Sequence, residues 1–347
     1  MSPTRAARLC AIGAWLGGLV AVAADAPATP VGSPQNVVLT DYSPLATNSE
    51  MVRRLSSPLV AAQFQQALAR SGKRLVEQPI DLAHEQFALY VPARPPPHGY
   101  ALLVFVMPWQ EARLPRGWSA ALDQYGVIFI SAARSGNDED VLGRRVPLAL
   151  LAAHNIMQRY PIDPERVYIG GFSGGARTAL RLALAYPDLF RGALLNASSD
   201  PIGTELFPLP SAQLFSRFQE STRLVYVTGE RDEVNVALAS SSLQSMRKWC
   251  VYDLESQTTA GAGHEMPDHA ALSRALRALG SHVSRDAGKL AACRAAVQKD
   301  LDDQLAQVAG LIAGGQSAAA QKLLTEVDRR FGGLAAPRTL ELQSQLP

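Results

Sequence analysis

The sequence predicts an α/β protein with a mostly parallel sheet covered by helices on both faces, followed by a purely helical tail. Two patterns carry this reading. From Phe87 onward, short β-branched or apolar runs alternate with longer helical ones, the texture of successive strand–helix–strand units. After about Arg285 the strands stop, and 287–347 hold one aromatic residue, Phe331, among Ala, Leu, Gln and charged positions. A chain of 347 residues with 47% hydrophobic and 18% charged content has globular composition and can bury a sizeable core, so disordered and low-complexity classes are excluded. The formal charge is +2, without a dense basic run to track a phosphate backbone, so no nucleic acid is expected as partner.

Residues 1–24 read as a cleaved signal peptide. Arg5 and Arg8 precede the apolar run Leu9–Val22, and small residues follow at Ala23, Ala24 and Ala26. That run is shorter than the ~20 residues a spanning helix needs, so no stable membrane insertion is expected and the product is secreted or periplasmic. Cys10 lies inside the run rather than after a lipobox, which argues against a lipid anchor. Residues 25–84 form a linker and helical segment: Ala26–Pro34 is rich in Pro, Ala and Gly, and 48–72 is helical with an interruption at Pro58.

The body, 85–284, contains strand candidates at Phe87–Val91, Ala101–Val106, Val127–Ile130, Val167–Ile169, Ala193–Leu195, Leu224–Thr228 and Val251–Leu254. Helices are expected at about 117–124, 147–160, 174–186, 236–249 and 268–280. The tail, 285–347, reads as a helical hairpin of 289–313 and 316–330 broken at Gly314-Gly315. Its stretch Gly315–Leu346 faintly resembles one tetratricopeptide-type unit, which cannot bury its own apolar face and so should pack on the body.

The segment Gly171-Phe172-Ser173-Gly174-Gly175 directly follows a strand and precedes a helix. It presents G-x-S-x-G, the pattern of a strained strand-to-helix turn that exposes a serine hydroxyl. A hydroxyl is a weak nucleophile and needs a general base, itself oriented by a carboxylate. With the order serine, acid, histidine, the base falls on His264 in the glycine-rich loop Gly261–Glu265; His269 lies inside the next helix and His282 just past the sheet region. His84, His98 and His154 precede the serine and read as structural or surface residues. The acid is Asp232, in the loop Gly229–Glu233 after a strand, with Glu230 and Glu233 as competitors. The oxyanion hole is assigned to the backbone N–H groups of Gly174 and Trp109, because Pro108 has no N–H to offer. Arg134, Asn137 and Asp138 are further cleft candidates. Such a triad needs no metal and no organic cofactor. His264 and His269 are five apart with Pro267 between them, which does not match a zinc helix.

At these residues the chain resembles the α/β-hydrolase group of polyhydroxybutyrate-depolymerase-like and feruloyl-esterase-like esterases. The resemblance runs from Asp163-Pro164-Glu165-Arg166-Val167 through the serine motif to Tyr186-Pro187-Asp188-Leu189-Phe190, with Gly229–Asp232, Gly263-His264-Glu265 and Tyr90-Val91-Pro92 as weaker parts. It implies the α/β-hydrolase fold and a Ser-His-Asp triad that cleaves a small or polymeric ester through an acyl-enzyme. One departure stands out: Met107-Pro108 occupies the position where such enzymes carry His-Gly. The rival readings are a serine peptidase or acyltransferase on the same triad, or an inactive binding or scaffold protein. In an oxidising compartment, the remaining pair Cys250 and Cys293 is expected to form a disulfide that clips the tail to the body.

Overall fold

The computed structural model of the chain describes residues 31–281 and 286–346. The signal-peptide reading of 1–24, the first part of the linker and His282 lie outside the described residues. Eight strands form one sheet in the order β1-β2-β4-β3-β5-β6-β7-β8. They are β1 (Gln35–Val37), β2 (Phe87–Tyr90), β3 (Tyr100–Val106), β4 (Val127–Ala132), β5 (Ile162–Phe172), β6 (Gly192–Asn196), β7 (Arg223–Gly229) and β8 (Leu254–Thr259). β1 and β2 run antiparallel at one edge, and the strands from β4 through β8 are parallel.

Successive side chains of a strand point to opposite faces, and the sheet uses both. Leu102 and Val104 join Ile128 and Ile130 in a core with α4 (Val146–Arg159) and α5 (Gly174–Ala185), whereas Leu103 and Phe105 meet Phe129, fully buried Trp118 and the second face's helices. Those helices are α3 (Ser119–Tyr125) and α8 (His269–Leu279). The first face also receives α6 (Ala212–Ser221) and α7 (Glu233–Lys248) through Phe215, Phe218, Ala239 and Met246. Covering on both faces is why β3, β4, β6 and β7 are buried along their whole lengths.

Four expectations are corrected. β1 lies in the segment read as linker and helix, where three residues at a sheet edge carry no periodic signal. The last strand is Leu254–Thr259 rather than Val251–Leu254: its sequence LESQTT is polar because an edge strand is half exposed, while buried Val251 sits in the short connection before it. No helix is expected from the sequence between 186 and 236, yet α6 lies there. The tail is more than a hairpin, since α9 (Ala287–Ala313) and α10 (Ser317–Phe331) are followed by α11 (Arg338–Gln343).

The tail packs on the first face. Leu301, Leu305, Leu324, Val327 and Phe331 belong to the same core cluster as α4 and α5, and the Phe331 ring meets Trp249 edge-on with centroids 5.7 Å apart. Cys250 and Cys293 are disulfide-bonded, with Cα atoms 5.8 Å apart. A second tie reaches the N-terminal helices, α1 (Asn48–Leu55) and α2 (Pro58–Ser71). Asp328 of α10 accepts from the Ser57 hydroxyl and, at 3.1 Å, from the Leu59 N–H in the first turn of α2, so a tail residue caps that helix. Burial raises the Asp328 carboxyl above the usual range, only partly opposed by these hydrogen bonds.

Both ties of the tail can be tested. Denatured, non-reduced protein should take up no alkyl groups at Cys250 and Cys293 by intact mass, and Cys293→Ala should lower the melting temperature, because closing a 43-residue loop stabilises by roughly 4 kcal/mol in the chain-entropy model. Asp328→Ala should cost about 1–3 kcal/mol in denaturant melts by stranding a buried hydroxyl and a helix N–H. Since the native carboxyl is raised, its contribution is complete below the unfolded value and declines as pH rises through the native one. Stability of Asp328→Asn relative to wild type should therefore rise with pH above about 4.

Candidate functional site

The site lies at the carboxyl ends of the central strands. β5 ends at Phe172 and α5 begins at Gly174, leaving Ser173 alone in the turn with φ 54° and ψ −125°, a conformation L-residues rarely adopt. Its neighbours explain how it is held. A Cβ on Gly171 would overlap the Gly175 backbone, and a Cβ on Gly175 would overlap the Val106 carbonyl at the end of β3. The Ser173 N–H donates to the Asn196 carbonyl at 2.9 Å, tying the turn to β6 as well.

His264 Nε2 lies 3.0 Å from Ser173 Oγ, and its Nδ1 lies 2.7 Å from Asp232 Oδ2. The three residues come from the loops after β5, β7 and β8, and the loops brace one another. Arg231 N–H donates to Ala262 O at 2.9 Å and Glu230 N–H to Thr259 O at 3.0 Å, while the Glu230 carboxylate accepts from Gly261 N–H at 2.7 Å. Glu230 thus holds the histidine loop, and Glu233 is an exposed first residue of α7. Of the three acidic candidates, Asp232 is the one hydrogen-bonded to His264. Beyond the histidine, Trp118 Nε1 donates to Pro267 O at 2.8 Å from inside the second core face.

Phe172 packs its ring against the imidazole, with centroids 4.9 Å apart, and against Trp109 at 6.0 Å. In the loop after β3, the carbonyls of Pro108 and Gln110 accept from the Asn137 and Arg134 N–H groups at 3.0 and 2.6 Å. Met107 O accepts from Arg145 Nη2 at 3.2 Å. The backbone N–H groups of Trp109 and Gly174 have no protein acceptor among the described residues, so both are available as donors. Asn137 reaches Gly174, where a Cβ would strike its amide, whereas Arg134 pairs with Glu85 at 3.0 Å away from the cleft. Asp138 does not line the cleft. His84 and His98 are exposed, His154 is half-buried on α4, and His269 opens α8, so none joins this cluster.

Asn235 is a site residue that sequence reasoning missed. Its Nδ2 donates to both Asp232 carboxylate oxygens at 2.9 and 3.0 Å and comes within 3.1 Å of His264 Nδ1. When Nδ1 carries the proton given to Asp232 it cannot also accept from the amide, so the amide's hydrogen bonds belong to the carboxylate. Burial would raise the Asp232 carboxyl, but the hydrogen bonds from His264 and Asn235 and the imidazole charge together outweigh it and hold the carboxyl below its ordinary value. The only sequence signal was an amide three residues after the acid, one helical turn on.

Ser173 opens onto a cleft of about 590 Å³ that also takes in Asn137, Arg145, Arg177, Arg181 and Phe207. The arginines are a second feature not anticipated from the sequence.

No family model matches the chain. Over an alignment of 98 positions that covers 24% of this chain, the sequence is 29% identical to a poly(3-hydroxybutyrate) depolymerase of Ralstonia pickettii, spanning 20% of that relative's length. Among solved structures, S-formylglutathione hydrolase from Staphylococcus aureus is similar over 56% of this chain and 92% of its own, at 13% identity and a TM-score of 0.45. A poly(3-hydroxybutyrate) depolymerase from Bordetella parapertussis is similar over 60% and 88%, at 17% identity and a TM-score of 0.42.

Removing the Asn235 amide should let burial push the Asp232 carboxyl upward. Asn235→Leu is expected to move the acid limb of Asp232's carboxyl ¹³C titration to higher pH and to lower turnover about tenfold, with the fold intact by circular dichroism. By its strand order, and by the serine turn that joins β5 to α5, the chain has the α/β-hydrolase fold.

Proposed function

We propose that the chain is an exported serine esterase that hydrolyses carboxylic esters through an acyl-enzyme. The observation that carries this is the unbroken hydrogen-bonded line from Ser173 Oγ through His264 to Asp232, anchored at a serine with positive φ. In the first half-reaction, Ser173 Oγ attacks the ester carbonyl carbon while His264 Nε2 takes its proton, and Asp232 stabilises the resulting imidazolium through Nδ1. The oxyanion of the tetrahedral intermediate accepts from the Gly174 and Trp109 N–H groups. Collapse breaks the bond to the alcohol oxygen, which leaves with the proton held by His264. Water then attacks the acyl-enzyme with His264 as base, and the acid departs as Ser173 recovers its proton.

Hydrolysis is favoured over acyl transfer by one feature. The His264 side chain is 44% exposed, so water reaches the base without waiting for a second substrate. Export is supported by the Cys250–Cys293 disulfide, a bond that persists in oxidising compartments. The resemblance to polyhydroxybutyrate-depolymerase-like enzymes points to esters of hydroxy or aromatic acids, and Met107-Pro108 alters the wall of the oxyanion hole relative to that group.

The reading is tested by fluorophosphonate labelling and a 4-nitrophenyl ester series. Wild type should be labelled and turn over ester, whereas Ser173→Ala should lose labelling and about 10³-fold or more in kcat while folding normally. The Ser173→Ala/His264→Ala double variant should be hardly worse than either single one, because the two act as a unit. Asp232→Asn should cost far more activity than Glu230→Gln or Glu233→Gln.

A further inference from the structure

The cleft beside Ser173 holds more positive charge than the described residues neutralise. Arg177 is paired, its guanidinium forming a two-pronged bridge to Asp200 at 2.6 and 2.9 Å. Arg145 and Arg181 form no ion pair among the described residues. Arg145 is 3% exposed and closes the π-helical turn Val141–Arg145. Its Nε and Nη2 donate to the neutral carbonyls of Ser135, at 2.9 Å, and Met107, at 3.2 Å, and its Nη1 has no protein acceptor among the described residues. Arg181 donates to Leu206 O at 2.6 Å and stacks over the Phe207 ring at 4.8 Å.

The Arg145 guanidinium is withdrawn from water without a counter-charge, which costs stability, and the half-buried Arg181 in the same cleft adds to that cost. The strain is visible in Arg145, which burial, with the charge of Arg181 adding, pulls down to about 10. Arg181 is also lowered by burial and by Arg177, against which Asp200 acts. The geometry relates these charges to the nucleophile. Gly174, Arg177, Thr178 and Arg181 recur at the three- and four-residue spacing that lines one face of α5, so the cleft runs from Ser173 along that helix. Phe207, Leu206, Val141 and Leu238 supply apolar wall between the charged groups.

We infer that this cleft selects esters bearing a carboxylate at the end of a short apolar arm, with the carboxylate received by Arg145 and Arg181. The inference rests on the proposed esterase reading and names its substrate class. The arm belongs to either the acyl or the alcohol half of the ester, and paired probes separate the two. The acyl pairs are the mono-4-nitrophenyl esters of glutarate, adipate and suberate against their methyl-capped diesters. The alcohol pair is the butyrate ester of 4-hydroxybenzoate against that of methyl 4-hydroxybenzoate. Each rate is divided by the same ester's alkaline hydrolysis rate to remove intrinsic reactivity.

In wild type, the carboxylate member of at least one pair is expected to have kcat/KM about ten- to hundredfold above its capped partner, the range of a charge-assisted hydrogen bond. That ratio should collapse toward unity in Arg181→Met and in Arg145→Met. Arg181→Met keeps the test sound if Arg145→Met perturbs the loop whose carbonyls it braces, and the ratio within one variant cancels a general loss of activity. Ester turnover with no preference, or with preference for the capped member in every pair, overturns the inference and leaves the esterase reading standing. An absence of both ester turnover and fluorophosphonate labelling of Ser173 overturns both.

Discussion

Everything at the site depends on a backbone contact that excludes side chains. Gly175 presses its Cα against the Val106 carbonyl, and Gly171 presses against Gly175. The close approach lets the chain reverse from β5 into α5 within one residue, which puts Ser173 at φ 54°. A strained φ of this kind costs on the order of 1–3 kcal/mol and persists only where the surroundings over-determine it. Here they do: β5 lies between β3 and β6, both wholly buried, and the Ser173 N–H is spent on Asn196. The central sheet thus supplies the rigidity, and the turn converts it into a hydroxyl that opens onto the cleft at a helix N-terminus.

Charge is distributed around that hydroxyl in opposite ways on its two sides. On the side of His264, a mostly buried carboxylate is stabilised by three donors' worth of hydrogen bonding, so its negative charge is satisfied within the protein. On the side of α5, Arg145 has neutral carbonyls for partners and a prong with no acceptor among the described residues. The first arrangement is self-contained, as expected of a group that must keep one protonation state. The second is incomplete and gains most from a ligand that brings the missing charge. Both follow from the same rule that buried charge demands compensation.

This contrast also explains what is legible in the sequence. Ser173 announces itself because its turn needs particular glycines at particular offsets, and His264 and Asp232 follow from chain order and from lying in loops after strands. Asn235 carries no such mark: an asparagine in the first turn of a helix is ordinary, and its role depends on which way the loop before it points. Arg145 and Arg181 come from separate helical elements, and their shared cleft is a product of packing. At the level of the fold, the central strands are readable because burial on both faces demands continuous apolar runs. β8 is displaced from its expected position for the converse reason, since an edge strand with one wet face can be written LESQTT. The short β1 and α11 contain too few residues for any period to register.

The tail has the same logic of compensation on a larger scale. Two long helices with Leu301, Leu305, Leu324 and Val327 on their inner faces cannot form a closed core by themselves, so their stability is borrowed from the body. The attachment points are spread across that body: Cys293 to Cys250 just before β8, Phe331 to Trp249, and Asp328 to the start of α2. Trp249 caps the end of α7 and Cys250 follows it, and the same helix is preceded by Asp232 at its N-cap and carries Asn235 in its first turn. A clamp on one end of a rigid helix limits rotation at the other, and both the acid and the amide that holds it sit at that other end. The tail is therefore mechanically connected to the acid of the proposed triad without approaching the cleft.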